Sequence, residues 1–251
     1  MAPRSSKKAS TIPSPPRAAA GANTRVILRV TLAEQLHEQL KESIIDGTRP
    51  PSSRLNIDAL AREFGVSSTP IREALARLEQ EGLVLLELFA GYSVVPPPKP
   101  EYVIGLLEFR ILWEGHCAEV GAAKRKPETL AALIAAYDKM ASVRRLGTRY
   151  REYRRFTEAD GEFHQAIIDG VENPAMTAIY SKMHVLMLQS RLLLTRSDSG
   201  APNAEVMREH KAILDAYVAG DGTAARKAVA AHFEGGCRRM RSIMKQSSAA
   251  P

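Results

Sequence analysis

The residues with the clearest capacity for chemistry are one aspartate and three histidines in the second half of the chain. Asp160 and His164 are four positions apart in a stretch with helical spacing, so both side chains lie on one side of a helix, about 5 to 6 Å apart at Cβ. His210 and His232 each share a helical stripe with apolar residues, and both are predicted to face inward. One carboxylate and three imidazoles that converge would suit Zn²⁺, and also Ni²⁺, Mn²⁺ or Co²⁺.

The same four residues also have a purely structural explanation. An aspartate and a histidine at i and i+4 often form a buried ion pair, and an inward histidine is commonly a hydrogen-bonded core residue. The spacing therefore leaves a divalent metal site and a polar core as two open alternatives.

The chain as a whole has the composition of a folded protein with more than one core. Its 251 residues suffice for two domains, and 45% of them are hydrophobic. No apolar run approaches the roughly 20 residues that span a bilayer, and no signal peptide is visible, so we expect a cytoplasmic protein without membrane association. Cys117 and Cys237 lack CxxC spacing, which indicates core residues rather than a zinc ligand pair or a disulfide framework.

The first half of the chain predicts a DNA-binding fold. Residues 1–24 are rich in Ser, Ala and Pro with scattered basic residues, and form either a disordered basic arm for phosphate contacts or a solvated tail without a role. Residues 25–95 follow as a winged helix-turn-helix domain. A helix begins at the capping box of Thr31 and Glu34, two further helices cross through a turn near Gly65, and two apolar runs form a wing.

The second half is predicted to be helical throughout. A Pro-rich linker at 96–100 separates the domains, and residues 247–251 form a short tail. Between them, breaks at Gly, Pro and Asn divide residues 101–246 into six helices. Their predicted ranges are about 101–125, 127–145, 150–170, 174–196, 203–219 and 222–246. The fold class is therefore mainly α, with a winged helix-turn-helix before an all-α six-helix bundle.

Four sequence patches resemble a known family of bacterial regulators. The run ALAREFGVSSTPIREALARLEQEGLV resembles the winged-helix domain of the GntR family of transcription regulators. Three patches of the second half, EFRILWEGHCAEVGAA, EADGEFHQAI and EHKAILDAYVAGDGTAARKAVAAHF, resemble the FCD effector domain of the FadR subfamily. Six helices rather than seven favour the VanR-like branch of that subfamily.

The resemblance, together with helix-turn-helix geometry, predicts which residues contact DNA. The start of the second helix of the pair points toward the groove, and hydroxyls there suit phosphate while an arginine suits guanine. The predicted contacts are Ser67, Ser68, Thr69, Arg72 and, in the wing, Gly91. Ser68 replaces the usual arginine of this family, and Ala90 replaces another, so we expect an operator that differs from the common one. The alternative for Arg72 is a surface ion pair with Glu73 or Asp58.

For the helical domain, the resemblance implies a metal and an effector. Asp160, His164, His210 and His232 match the metal ligands of the metal-binding members. Arg110 matches an arginine that holds an effector carboxylate, although a pair with Glu114 one turn on is the alternative. Asn173 and Arg191 are further effector candidates, and Asn173 is equally well explained as a helix cap. A small organic acid is therefore the expected effector.

The sequence-based hypothesis is a homodimeric regulator, and not an enzyme. It is expected to repress by binding a palindromic operator in bacterial nucleoid DNA and to respond to a carboxylate bound near a divalent metal, with Zn²⁺ the first choice. Two alternatives remain open. The first is a hydrolase or isomerase that uses the Asp/His site to activate water, and the second is an architectural DNA binder with an empty effector domain.

Overall fold

The structure, a computed structural model, describes residues 31–144, 146–147, 149–183 and 204–249. The predicted tail at 1–24 and Arg191 lie outside these residues. The first part of the described chain contains three helices and three short strands. In chain order they are α1 (Leu32–Ile45), β1 (Arg54–Leu55), α2 (Ile57–Phe64), α3 (Ser68–Gln80), β2 (Val84–Glu87) and β3 (Gly91–Val94).

Local capping signals determine where these helices begin and end. The Thr31 hydroxyl accepts from the Glu34 amide while the Glu34 carboxylate accepts from the Thr31 amide, which confirms the predicted capping box. Asn56 caps α2, and Gly65 ends it with a left-handed φ of 66°. The apolar faces of α1 and α3 then meet in a core that includes Leu36, Leu40, Ile71, Leu75 and Leu78.

The sheet has one strand more than the sequence predicted. The order is β1-β3-β2 with antiparallel pairing, and Arg54 and Leu55 pair with Ser93 and Tyr92. Strand β1 was not among the predicted elements, which included only the two strands of the wing. A two-residue strand has no periodicity to detect, and it forms because the outer edge of β3 offers it unpaired backbone groups.

Six helices make up the second part of the described chain. They are α4 (Pro100–Lys124), α5 (Pro127–Ala141), α6 (Tyr150–Asp169), α7 (Pro174–Lys182), α8 (Ala204–Ala219) and α9 (Gly222–Ala249). The predicted ranges agree to within a residue or two except at three ends. Helix α9 runs to Ala249 instead of 246, so residues 247–249 of the predicted tail are helical. Helix α5 ends four residues early, where Ser142 turns its hydroxyl back to the Lys139 carbonyl. Helix α7 ends at Lys182 instead of 196, and residues 184–203 lie outside the description.

These helices pack as a bundle in which α9 lies along α4 and α8, and α5 lies against α6. Small residues permit the close approaches. A Cβ on Gly222 would lie 2.3 Å from the carbonyl oxygen of Glu119, so the start of α9 can touch α4 only with glycine there. None of the helices in the described residues is both long enough and apolar enough to cross a membrane.

The first part of the described chain and the bundle are in contact through α1 and α6. The Tyr150 amide donates to Oδ1 of Asp46 over 2.7 Å, and the Arg154 guanidinium lies 2.5 Å from the Glu38 carboxylate. The Lys41 ammonium lies 5.9 Å from the centre of the Tyr150 ring. Helix α6 therefore links α1 to the part of the bundle that carries Asp160 and His164.

Candidate functional site

Three imidazoles from three different helices meet inside the bundle. His164 of α6 and His210 of α8 have no exposed surface, and His232 of α9 is 7% exposed. A nitrogen of each lies within 4.8 Å of a nitrogen of the others, and the ring centres are 4.5 to 5.4 Å apart. The inward faces predicted from the sequence therefore bring the three histidines together.

Asp160 is placed beside the same cluster. Its Oδ1 lies 3.2 Å from Nε2 of His210 and 3.8 Å from Nε2 of His164. The side chain is 13% exposed, so one edge of the cluster approaches the surface. Asp160 thus lies beside His210 and His164, and a metal-ligand role for it stays a prediction.

Nδ1 of each ring contacts an oxygen atom outside the group of three histidines and Asp160. Nδ1 of His164 lies 2.7 Å from the Glu114 carboxylate, and Nδ1 of His232 lies 2.9 Å from the Glu209 carboxylate. Nδ1 of His210 lies 2.9 Å from the carbonyl oxygen of Val206. All three partners can accept a hydrogen bond from Nδ1, and a neutral ring that donates from Nδ1 has its lone pair on Nε2.

The donor set fits a divalent metal. Nε2 of His164 and of His210 are buried and make no well-aligned hydrogen bond to any described residue, although Asp160 Oδ1 lies 3.2 Å from Nε2 of His210. A buried polar atom without a hydrogen bond is costly unless it binds something. Burial lowers the pKa of His164 to about 3 and that of His232 to about 4, so both rings stay neutral, as ligands must be. Nitrogen and carboxylate donors of this kind bind Zn²⁺ and its neighbours.

Arg110 is buried and belongs to the surroundings of this cluster. Its Nε donates to Oε1 of Glu114 over 2.5 Å, Nη2 lies 3.4 Å from the Tyr180 hydroxyl, and the guanidinium sits 4.2 Å from the Phe233 ring centre. Burial would raise the pKa of Glu114, but Arg110 and His164 outweigh it and hold that pKa below the ordinary value. The pair with Glu114, one of the two alternatives, is therefore formed, and an effector role for Arg110 stays a prediction.

Asn173 acts as the cap of α7. Its side-chain oxygen accepts from the amides of Ala175 and Met176 at 3.1 and 3.3 Å. This is the structural alternative that the sequence left open, and an effector contact from Asn173 stays a prediction. The same is true of Arg191, which the structure does not describe.

The start of α3 presents polar groups to solvent. Ser67 is the exposed N-cap residue and makes no side-chain cap hydrogen bond, and Thr69 is exposed while Ser68 is half-buried. Arg72 is exposed and forms no ion pair with any residue that the structure describes, including Glu73 and Asp58. Gly91 is exposed at the base of the wing turn. The ion-pair alternative for Arg72 is thus absent.

Comparison with known families decides what kind of protein carries this arrangement. Residues 105–235 match the FCD domain, and residues 32–92 match the bacterial regulatory proteins of the gntR family. The chain belongs to the GntR family of transcriptional regulators, with an FCD domain. It is therefore a DNA-binding transcriptional regulator and not an enzyme.

Relatives of this GntR regulator match it along most of their length. The HTH-type transcriptional regulator YdhC of Bacillus subtilis is 28% identical over 84% of this chain and 92% of its own. The galactonate operon transcriptional repressor of Escherichia coli is 26% identical over 81% of this chain and 94% of its own. A GntR regulator of Rhodococcus sp. RHA1 has the same fold, with a TM-score of 0.60 at 24% identity over 84% and 97% of the two chains.

Sequence reasoning missed three groups that surround the histidines in this GntR regulator. Glu209 and Arg239 were not singled out, and Glu114 was considered only as a partner of Arg110. The sequence did contain an indication of the two glutamates, because acidic residues lie next to the apolar stripes of α4 and α8. The contacts of Glu114 with His164 and of Glu209 with His232 join residues 50 and 23 positions apart, so no local spacing in the sequence indicates them.

Proposed function

We propose that this regulator is a repressor whose operator binding is controlled by a small carboxylate metabolite bound beside a divalent metal. The observation that carries the proposal is the meeting of three buried imidazoles beside Asp160, while Nδ1 of each ring contacts a carboxylate or a carbonyl oxygen. Repression is further supported by the relative named for repressing the galactonate operon.

In this proposal Asp160, His164, His210 and His232 hold the ion. Zn²⁺ is the first choice, with Ni²⁺, Mn²⁺ or Co²⁺ as alternatives, since all accept nitrogen and carboxylate ligands. When bound, the ion supplies a Lewis-acid position for an effector carboxylate. An effector that also reached Arg110 would have to share the guanidinium with Glu114.

The operator is proposed to be a palindrome read by a homodimer. Each protomer would place the start of α3 in a major groove, with half-sites about one helical turn apart. The contacts would come from Ser67, Ser68, Thr69, Arg72 and, in the wing, Gly91. Their support is the exposure of this helix start and the absence of a competing ion pair at Arg72 among the described residues.

Helix α6 is the proposed route from the metal to DNA. It carries Asp160 and His164, and its first turns contact α1 through Tyr150 and Arg154. Because α1 packs on α3, a shift of α6 would move the reading helix. Such control requires the effector to bind the two arrangements with different affinity.

The test is elemental analysis of the purified protein before and after dialysis against a chelator. We expect about one divalent ion per chain in the wild type and a large loss in His164→Ala with His210→Ala. The matched control is His116→Ala, an exposed histidine of α4, which should keep the metal. Full metal content in the double variant would contradict the proposed site.

The effector is tested on metal-loaded and metal-free protein in parallel. A panel of hydroxy acids and sugar acids, with the corresponding alcohols as controls, is screened for release of a DNA duplex selected by the wild type from a random pool. We expect release by an acid only from metal-loaded protein. DNA binding that no acid relieves, in a protein without metal, would favour the architectural alternative.

A further inference from the structure

Two carboxylates behind the histidines are each fixed by an arginine. Glu114 has no exposed surface and receives Arg110 Nε at 2.5 Å and the Tyr180 hydroxyl at 3.2 Å, both at Oε1. Its other oxygen, Oε2, lies against Nδ1 of His164 at 2.7 Å. One carboxylate oxygen is thus anchored while the other faces the ring.

The second unit repeats this chemistry on different helices. Arg239 of α9 donates to both oxygens of Glu209, over 3.0 Å from Nη1 and 3.1 Å from Nη2. Oε2 of Glu209 also lies 2.9 Å from Nδ1 of His232. A bidentate guanidinium–carboxylate contact of this kind fixes the plane of the carboxylate.

An ionised carboxylate can only accept hydrogen bonds. A histidine ring that faces it must therefore donate from the nearer nitrogen, which restricts the tautomer of that ring. A neutral imidazole carries one N–H, so a ring that donates from Nδ1 has a lone pair at Nε2. His210 receives the same restriction from a backbone carbonyl. Each glutamate therefore presents an acceptor to Nδ1 of His164 or His232, as the Val206 carbonyl does to Nδ1 of His210.

We propose that Glu114 and Glu209 are positioning residues that fix the Nδ1–H tautomer and the orientation of His164 and His232. Arg110 and Arg239 hold these two carboxylates in place. The tautomer is a property of the protein without any ion, whereas the consequence for metal affinity rests on the proposed function. Arg110 thereby belongs to the support of the histidine cluster, whatever it does for an effector.

The first measurement is the affinity for Co²⁺, titrated in competition with a chelating indicator. Glu114→Gln and Glu209→Gln keep the side-chain size but offer both a donor and an acceptor, so either tautomer is tolerated. We expect each variant to bind Co²⁺ about 10- to 100-fold more weakly than the wild type. The matched control is Glu119→Gln on α4, whose carboxylate pairs with Arg226 at the surface and should leave the affinity unchanged.

The second measurement reads the tautomers directly in metal-free protein. Long-range ¹H–¹⁵N spectra of ¹⁵N-histidine-labelled wild type distinguish Nδ1–H from Nε2–H without any substitution. We expect the Nδ1–H pattern for His164 and His232, and its loss for the corresponding ring in each glutamine variant. An Nε2–H pattern in the wild type, or wild-type spectra and Co²⁺ affinity in both variants, would overturn the inference.

The two proposals fail differently. If the wild type shows the Nδ1–H pattern but binds no Co²⁺, the metal site is wrong and the positioning role of the glutamates stands. If the wild type binds Co²⁺ and both glutamine variants bind it equally well with unchanged spectra, the metal site stands and the positioning role is refuted.

Discussion

Oδ1 of Asp46 accepts a 2.7 Å hydrogen bond from the backbone amide of Tyr150, the first residue of α6. The first amides of a helix have no partner within the helix, and a negative charge at that end is favourable. A residue that follows α1 therefore caps a helix of the bundle from 104 positions away.

We predict that Asp46→Ala destabilises the contact between α1 and α6. Losing a part-buried hydrogen bond costs about 1 kcal/mol, and the Tyr150 amide should exchange faster with solvent. Urea unfolding and hydrogen exchange measure the two effects. Asp46→Asn, which keeps the acceptor, should lose less, and Arg151→Ala is the control because its 3.9 Å contact with Glu42 is largely exposed. Unchanged exchange at Tyr150 would contradict the prediction.

The same contact should transmit metal binding to α1. If α6 is the route, adding Co²⁺ to the wild type slows hydrogen exchange in α1 as well as around His164. In Asp46→Ala we expect the protection around His164 to remain and that in α1 to shrink. Equal protection of α1 in both proteins would show that the coupling takes another route.

We predict that Arg72→Ala abolishes specific DNA binding and leaves the fold intact. An arginine that bonds a guanine with two hydrogen bonds contributes about 1 to 3 kcal/mol of discrimination. The measurement is a shift assay on a duplex that the wild type selects from a random pool, with circular dichroism as the check on folding. Arg77→Ala is the control, because Arg77 points from the end of α3 toward Glu34, 3.6 Å away. Wild-type affinity in the Arg72 variant would refute the contact.

Ser52→Gly is predicted to stabilise the protein. Ser52 has a φ of 64°, and its amide donates to the Val94 carbonyl, so the sheet holds a residue with a side chain in the left-handed region. Removing the cost of a left-handed φ raises the free energy of unfolding by about 1 kcal/mol. Glycine also gives the unfolded chain more conformational freedom, which removes part of that gain. Thermal unfolding measures the difference. Ser53→Gly, next in the chain without a left-handed φ, should instead destabilise.

The two cysteines are predicted to be inert while the protein is folded. Cys117 has no exposed surface and Cys237 is 4% exposed. Burial raises the pKa of the Cys117 thiol to about 12 and also raises that of Cys237, which removes the reactive thiolate at neutral pH. A thiol reagent should therefore label two cysteines per chain in denaturant and none before unfolding. Ala131→Cys, at an exposed position of α5, is the positive control.

Local signals were sufficient for most of the secondary structure. The capping box at Thr31, the cap at Asn56 and the stop at Gly65 each act within one helical turn, so the neighbouring residues suffice to predict them. The same holds for the inward faces of His164, His210 and His232, because helical periodicity alone assigns a side chain to the buried stripe.

Tertiary packing decided the features that join distant parts of the chain. Strand β1 exists because β3 offers it an edge, and Asp46 caps α6 because α1 lies against it. Glu114 and Glu209 likewise become partners of His164 and His232 only when α4 meets α6 and α8 meets α9. The sequence by itself determined which residues face inward, because helical periodicity is local. The packed helices decided which carboxylates and carbonyl oxygens Nδ1 of each ring contacts, because those partners come from distant positions or other helices.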